Sequence, residues 1–255
     1  MIKKYKISVP KSTLNEIYKK VRNFPWSAAQ NMNGWEYGTN LNYLKNISKY
    51  WITKYNWKKF ENKINSFKNY KTKVEDINLH FIFEKSKNPN SKQLLLLHGW
   101  PGSITEFLDI IPRLAHPEKF GGKIEDGFDI IVPSLPGFGF SSQIKKALGP
   151  RKIGKILNKF MVKNLGYKNY FVQGGDWGAT IAGWIGLDSS KNCKGIHINC
   201  LPLRHPKGTK NIKEKKWEKK FNFDQIMQEG YRTQQATKPQ TLSYAMIDSP
   251  VGTAA

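Results

Sequence analysis

The sequence predicts an α/β protein built on a mostly parallel, doubly wound sheet. Two observations carry that expectation. Short apolar runs alternate with stretches of helical spacing, giving strands at 93–97, 128–132, 169–173 and 194–199 and helices at 103–115, 151–165 and 177–187. Strands that alternate with helices in this way form a parallel sheet covered on both faces. In addition, two of the strands run directly into glycine-containing turns that open a helix, one after Leu97 and one after Gln173.

The remaining elements follow in order. Residues 1 to 68 read as helical: Thr13-Leu14-Asn15-Glu16 fits a capping box, and Leu14, Ile17, Tyr18 and Val21 share one face. A loop with Pro25 and Gly34 precedes two more amphipathic patterns, Leu41, Leu44, Ile47, Trp51 and then Phe60, Ile64, Phe67. From Tyr70 the period changes to two, with Leu79, Phe81 and Phe83 alternating, which predicts a hairpin around Asp76-Ile77-Asn78. After Pro202 the pattern becomes polar and helical again, as an inserted cap would be. The expected division is 1–85 for the helical segment with the first strands, 86–203 for the sheet core and 204–255 for a partial cap.

Gly174-Gly175-Asp176-Trp177-Gly178 is the most informative stretch. The apolar run Tyr170-Phe171-Val172 precedes it, and Ala179, Ile181, Ala182 and Ile185 follow at helical spacing. This is the pattern of a nucleophile elbow, a strand-to-helix turn so tight that the residues two before and two after the nucleophile must be small. The central residue is aspartate, which is ionised at neutral pH and attacks an electrophilic carbon without a base, forming an ester. A second turn, His98-Gly99-Trp100-Pro101-Gly102, follows Leu94-Leu95-Leu96-Leu97. The backbone amides of Trp100 and Trp177 are the expected oxyanion donors for hydrolysis of that ester. His98 reads as a loop-holding residue rather than a general base. The segment Ile130 to Ser141 is a strand entering a Gly/Pro loop; it lacks the spacing of a phosphate cradle and reads as packing.

Composition narrows the function classes. Of 255 residues, 39% are hydrophobic, so the chain can bury a core. No apolar run approaches a membrane span, and Cys193 and Cys200 are too few for a disulfide framework or a zinc site. The expected compartment is therefore a reducing cytoplasm. The net charge of +23 comes almost entirely from lysines spread along the chain, with only Arg22, Arg113, Arg151, Arg204 and Arg232 as arginines. Specific nucleic-acid readers concentrate arginine in patches, so no specific nucleic-acid partner is expected.

Together these motifs resemble α/β-hydrolase-fold epoxide hydrolases of the microsomal and juvenile-hormone type, along essentially the whole chain. Phe24-Pro25-Trp26, Trp35 to Asn40 and Leu79-His80-Phe81-Ile82 are similar to that family's amino-terminal domain. His98 to Ser103 and Gly174 to Gly178 are similar to its oxyanion loop and nucleophile. Thr237 to Thr241 and Asp248 to Gly252 are similar to its cap. The resemblance implies Asp176 as nucleophile, Tyr231 as the proton donor to the epoxide oxygen, an apolar epoxide as substrate, a vicinal diol as product, and neither cofactor nor metal. It implies an α/β-hydrolase fold incomplete at its carboxy-terminal edge, with the triad acid and histidine beyond residue 255. The expected partner is then a complementing carboxy-terminal polypeptide or a second copy of the chain, with no transmembrane anchor. Two alternatives stay open: a non-catalytic remnant that binds apolar ligands, and a hydrolase resembling the haloalkane dehalogenases, which carry asparagine where Trp100 stands.

Overall fold

The computed structural model describes residues 1–30, 32, 34–200 and 208–255. Its strands are β1 (Lys3–Lys4), β2 (Asn69–Val74), β3 (Ile77–Glu84), β4 (Lys92–Leu97), β5 (Phe128–Pro133), β6 (Tyr170–Gly174) and β7 (Cys193–Ile198). Its α-helices are α1 (Lys11–Arg22), α2 (Leu41–Thr53), α3 (Trp57–Asn65), α4 (Ile111–Ala115), α5 (Pro150–Lys159), α6 (Trp177–Asp188), α7 (Ile212–Gln228), α8 (Gly230–Thr237), α9 (Pro239–Asp248) and α10 (Pro250–Ala254). The chain divides into two compact units, Met1–Ser8 with Lys58–Leu203 and Val9–Trp57 with Arg204–Ala255. These boundaries differ from the sequence-based division at 85. Residues 69–84 pair into the sheet, whereas α1 and α2 bury their apolar faces elsewhere. The expected 203/204 boundary lies outside the described residues.

The first unit holds one seven-stranded sheet in the order β1-β2-β3-β5-β4-β6-β7. The pairs β5-β4, β4-β6 and β6-β7 are parallel, and β1-β2, β2-β3 and β3-β5 are antiparallel. The sheet is thus mixed rather than mostly parallel, because the period-two signal that reveals a strand says nothing about its direction. Both faces are covered. Leu95 and Leu97 point into a core with Phe81, Val172 and the α5 and α6 residues Ile156, Leu157 and Ile181. Leu96, between them, points into the opposite core with Ile82, Ile130, Ile64 and Ile104. Alternation along one strand with burial on both sides is what an unbroken Leu94–Leu97 run encodes.

Three local expectations shift. The helix expected over 103–115 is a 3-10 turn, Ile104–Phe107, and a separate short α4. Pro112 has no N–H to donate back to Leu108, so a continuous helix cannot pass through it. Helix α1 begins at Lys11 behind Pro10, not at a Thr13 cap, because Pro10 (φ −57°, ψ 141°) already sets the turn into the helix. The hairpin turns at Glu75-Asp76, with Glu75 at φ 56°, just before the expected position.

In the second unit, Val21 of α1, Leu44 of α2 and Val251 of α10 form a small core with Ile17, Phe24, Trp26, Trp51 and Ile52 around it. Asn40 caps α2 by accepting from the Tyr43 N–H, 3.1 Å. Helix α7 starts at a capping box in which Asn211 and Glu214 satisfy each other's backbone N–H groups. Helices α8 and α9 bury no residue fully.

Candidate active site

Strand β6 ends at Gly174 and α6 begins at Trp177, so Asp176 sits in the turn between them with φ 50° and ψ −124°. A non-glycine residue held there stores about 1–3 kcal/mol of backbone strain, which surrounding structure must enforce. The glycines do so by letting backbone meet backbone. A Cβ on Gly174 would stand closer than 3.0 Å to the Gly178 carbonyl, and one on Gly178 closer than 3.0 Å to the carbonyls of Leu97 and His98. Leu97 pairs with Gly174 across β4 and β6, and the Gly175 N–H donates to Leu97 O (3.3 Å). On the other side, the Asn199 N–H donates to Gly174 O, also at 3.3 Å. The turn is clamped from both neighbouring strands.

The loop after β4 meets this turn. The Trp100 N–H donates to Asp176 Oδ1 at 2.8 Å. Gly99 lies so close to the Asp176 carboxylate that any Cβ there would overlap it. His98 is fully buried, and both its nitrogens are engaged: Nε2 accepts from the Leu135 N–H (3.1 Å), so Nδ1 carries the proton and faces Gly99 O at 3.0 Å. Burial lowers its pKa, against the opposing pull of the Gly99 bond and the Asp176 charge. A neutral, doubly bonded histidine ties the β4 loop to the β5 loop and has no nitrogen left to activate water. Trp177 is the first residue of α6, so its N–H lies at the helix N-terminus beside Asp176. The structure therefore brings together Asp176 and the backbones of Trp100 and Trp177.

The β5 loop supplies the second joint. His80 Nδ1 bonds Ser134 Oγ (2.9 Å) and Nε2 bonds Asn69 Oδ1 (3.0 Å), while Ser141 Oγ accepts from the His80 N–H (3.0 Å). Burial, helped by the Lys71 charge, lowers the His80 pKa to about 3. His116 pairs with Glu84 at 2.9 Å, His197 is exposed on β7 opposite Gln173, and His205 lies outside the described residues. Tyr231 lies on α8 in the second unit and is 60% exposed. Among the described residues no group of histidine, cysteine and carboxylate side chains could hold a metal ion, and no helix is long and apolar enough to cross a membrane. Sequence reasoning passes over Asn199, which no motif marks, and Glu106, which the Ser103-x-x-Glu106 spacing does mark as a capping pair.

A strained carboxylate on a strand-to-helix turn, with a neighbouring loop amide already on one of its oxygens, defines the class: an α/β hydrolase with an aspartate at its elbow. Family models match accordingly, "Epoxide hydrolase N terminus" over residues 2–107 and "alpha/beta hydrolase fold" over residues 92–245. The chain is 34% identical to epoxide hydrolase 1 of Oryctolagus cuniculus, covering 100% of this chain and 61% of the relative. It is 33% identical to juvenile hormone epoxide hydrolase 1 of Ctenocephalides felis, covering 100% of this chain and 58% of the relative. The crystal structure of juvenile hormone epoxide hydrolase from the silkworm Bombyx mori superimposes with a TM-score of 0.88 at 29% identity, over 100% of this chain and 64% of that one. The chain belongs to the α/β-hydrolase-fold epoxide hydrolases. It spans about three fifths of the length of these two curated relatives.

Proposed function

We propose that this chain carries the ester-forming half of an epoxide hydrolase reaction, with Asp176 as nucleophile. The observation behind this reading is the Trp100 N–H on Asp176 Oδ1 at 2.8 Å. With Oδ1 held, Oδ2 is the oxygen free to attack an epoxide carbon. The carbon–oxygen bond of the ring breaks as the ester bond forms, and the departing alkoxide takes a proton, a role this reading gives to the Tyr231 hydroxyl. Oδ1 becomes the ester carbonyl oxygen and already lies on the Trp100 amide, with the Trp177 amide as second donor when water adds and an oxyanion develops. Release of the diol restores the Asp176 carboxylate, one of its oxygens now from water. The substrate would be a small apolar epoxide.

The second half-reaction needs a base for the water. His80 and His98 are bonded at both nitrogens, His116 is paired with Glu84, and His197 lies on β7 opposite Gln173, short of the elbow along the strands. Among the described histidines none is placed to serve as that base, and the chain by itself is expected to hold the ester. Incubation with styrene oxide followed by intact-mass and peptide mass spectrometry tests this. The expected result is one epoxide per chain, on the peptide containing Asp176, persisting for hours and absent from Asp176→Ala. An adduct that survives Asp176→Ala would remove the nucleophile assignment; steady diol production would show that a base is present.

A further inference from the structure

The β4 loop must deliver the Trp100 N–H to Asp176, yet its far end, Pro101 to Ser103, is anchored by neither the sheet nor a long helix. The 3-10 turn that follows, Ile104–Phe107, is only four residues long. Ser103 caps it: its Oγ accepts from the Thr105 N–H (3.3 Å) and contacts Thr105 Oγ1 (2.8 Å). The reciprocal half of the cap is Glu106. Its N–H donates to Ser103 O (3.1 Å), and its carboxylate turns back over Gly102 towards the Ser103 backbone. To do so the carboxylate enters the space a side chain at residue 102 would occupy. A Cβ on Gly102 would overlap Glu106 Oε1 outright. Gly102 has no positive φ, so the requirement for glycine here is steric rather than conformational.

We propose that Glu106 is a positioning residue for the oxyanion loop: its carboxylate, seated over Gly102 and turned back to receive the Ser103 N–H, fixes the loop end so that the Trp100 amide meets Asp176. The proposal rests on the functional reading of Asp176 and Trp100 above, and adds a residue that touches neither substrate nor nucleophile. The loop would then be pinned at two points, His98 before Trp100 and Glu106 after it. Glu106 is exposed as a residue, but its carboxyl folds inward; desolvation raises its pKa, the Ser103 bond opposes that, and the charge of Asp176 raises it further. The two carboxylates thus feel each other's charge, as expected if Glu106 lies just behind the loop that holds Asp176.

The prediction is a coupling between Gly102 and Glu106. Glu106→Ala removes the acceptor, and Gly102→Ala expels it, so each should slow alkylation of Asp176 by saturating styrene oxide roughly tenfold or more. Loss of a whole oxyanion donor typically costs about 10²–10³-fold. The Gly102→Ala/Glu106→Ala double variant should be no slower than the slower single variant, since both remove the same bond. Glu106→Gln keeps an acceptor oxygen for the Ser103 N–H and should retain the parent rate. A parallel measurement of hydrogen exchange over residues 98–107 reads the loop without any epoxide. Exchange there should rise in Glu106→Ala and return to the parent level in Glu106→Gln. Parent-like alkylation and exchange in Glu106→Ala, fully additive slowing in the double variant, or a Gln variant as impaired as Ala would each overturn the proposal. If the parent chain forms no Asp176 ester, the functional reading fails, and the exchange measurement alone decides the role of Glu106.

Discussion

The two units place their proposed chemistry on opposite kinds of support. In the first, the backbone behind Asp176 is sealed: Leu97 and His98 are 0% exposed, and the Gly175 and Asn199 N–H groups donate to Leu97 O and Gly174 O. In the second, Tyr231 is 60% exposed on a helix with no buried residue, next to α7 with Trp217, Phe223 and Ile226 also exposed. The lesson is that the proposed nucleophile is positioned by backbone, through glycines and amides that one unit contains entirely. The proposed proton donor, by contrast, sits on a helix that buries none of its residues. A backbone-built site is complete once its strands pair. A packing-built site becomes exact only when its surroundings are.

Among changes that leave the fold intact, Tyr231→Phe should give a large effect on chemistry. General acids contribute about 10²–10⁴-fold when well placed. The variant should therefore slow ester formation on Asp176 by up to that factor, with the helical circular dichroism unchanged. A slowing of less than about threefold would remove Tyr231 as the proton donor in this chain.

A glycine pair breaks the comparison from the stability side. Gly178→Ala drives a methyl group into the carbonyls of Leu97 and His98, which are backbone and cannot rotate away. It should cost about 3 kcal/mol, at the upper end for overpacking, and abolish alkylation. Gly230→Ala at the start of α8 meets nothing within 4 Å and should change stability by less than about 0.5 kcal/mol. Urea unfolding of both variants checks this; equal effects would mean that the elbow is not the rigid part.

The same contrast explains what was legible in the sequence. The elbow could be read because its rule is steric and local: Gly174 and Gly178 are glycine since each approaches a carbonyl. Strand β4 could be read because Leu94–Leu97 has cores on both sides. Helix boundaries were harder, since apolar spacing continues across Pro112 although the helix cannot. Two exposed lysines, Lys3 and Lys4, form β1 by pairing with Tyr70 and Lys71, and nothing in them announces a strand. The gathering of 9–57 with 204–255 depends on contacts such as Val21 with Val251, far apart in sequence and invisible to any local pattern. Within the site, His98 was readable as a loop holder, but the Leu135 N–H that occupies it was not, because backbone donors carry no residue signature.

The smallest effect concerns acid, and it should fall on the first unit, which contains every described histidine. His80 is neutral when folded, with a pKa of about 3, against an ordinary value of 6.5 when unfolded. The unfolded chain therefore binds a proton below pH 6.5 that the folded chain refuses, and stability falls as pH falls from 6.5 towards 3. At most this amounts to about 1.4 kcal/mol per pH unit for one histidine, approached only well below pH 6.5. His98, also lowered by burial, acts in the same direction. Paired carboxylates such as Glu75, lowered by its bond to Lys152, lose their contribution only below the ordinary carboxylate range, so between pH 7 and 5 the histidines dominate, opposed by Glu106, whose raised pKa adds stability as pH falls. Urea midpoints followed by tryptophan fluorescence should decline across that window in the parent. His80→Gln should be less stable at pH 7, since Ser134 and Asn69 lose well-fitted partners, yet show a shallower decline. A slope unchanged by His80→Gln would mean that the joint beneath the β5 loop admits water and a proton, and that the first unit is less tightly sealed than its hydrogen bonds imply.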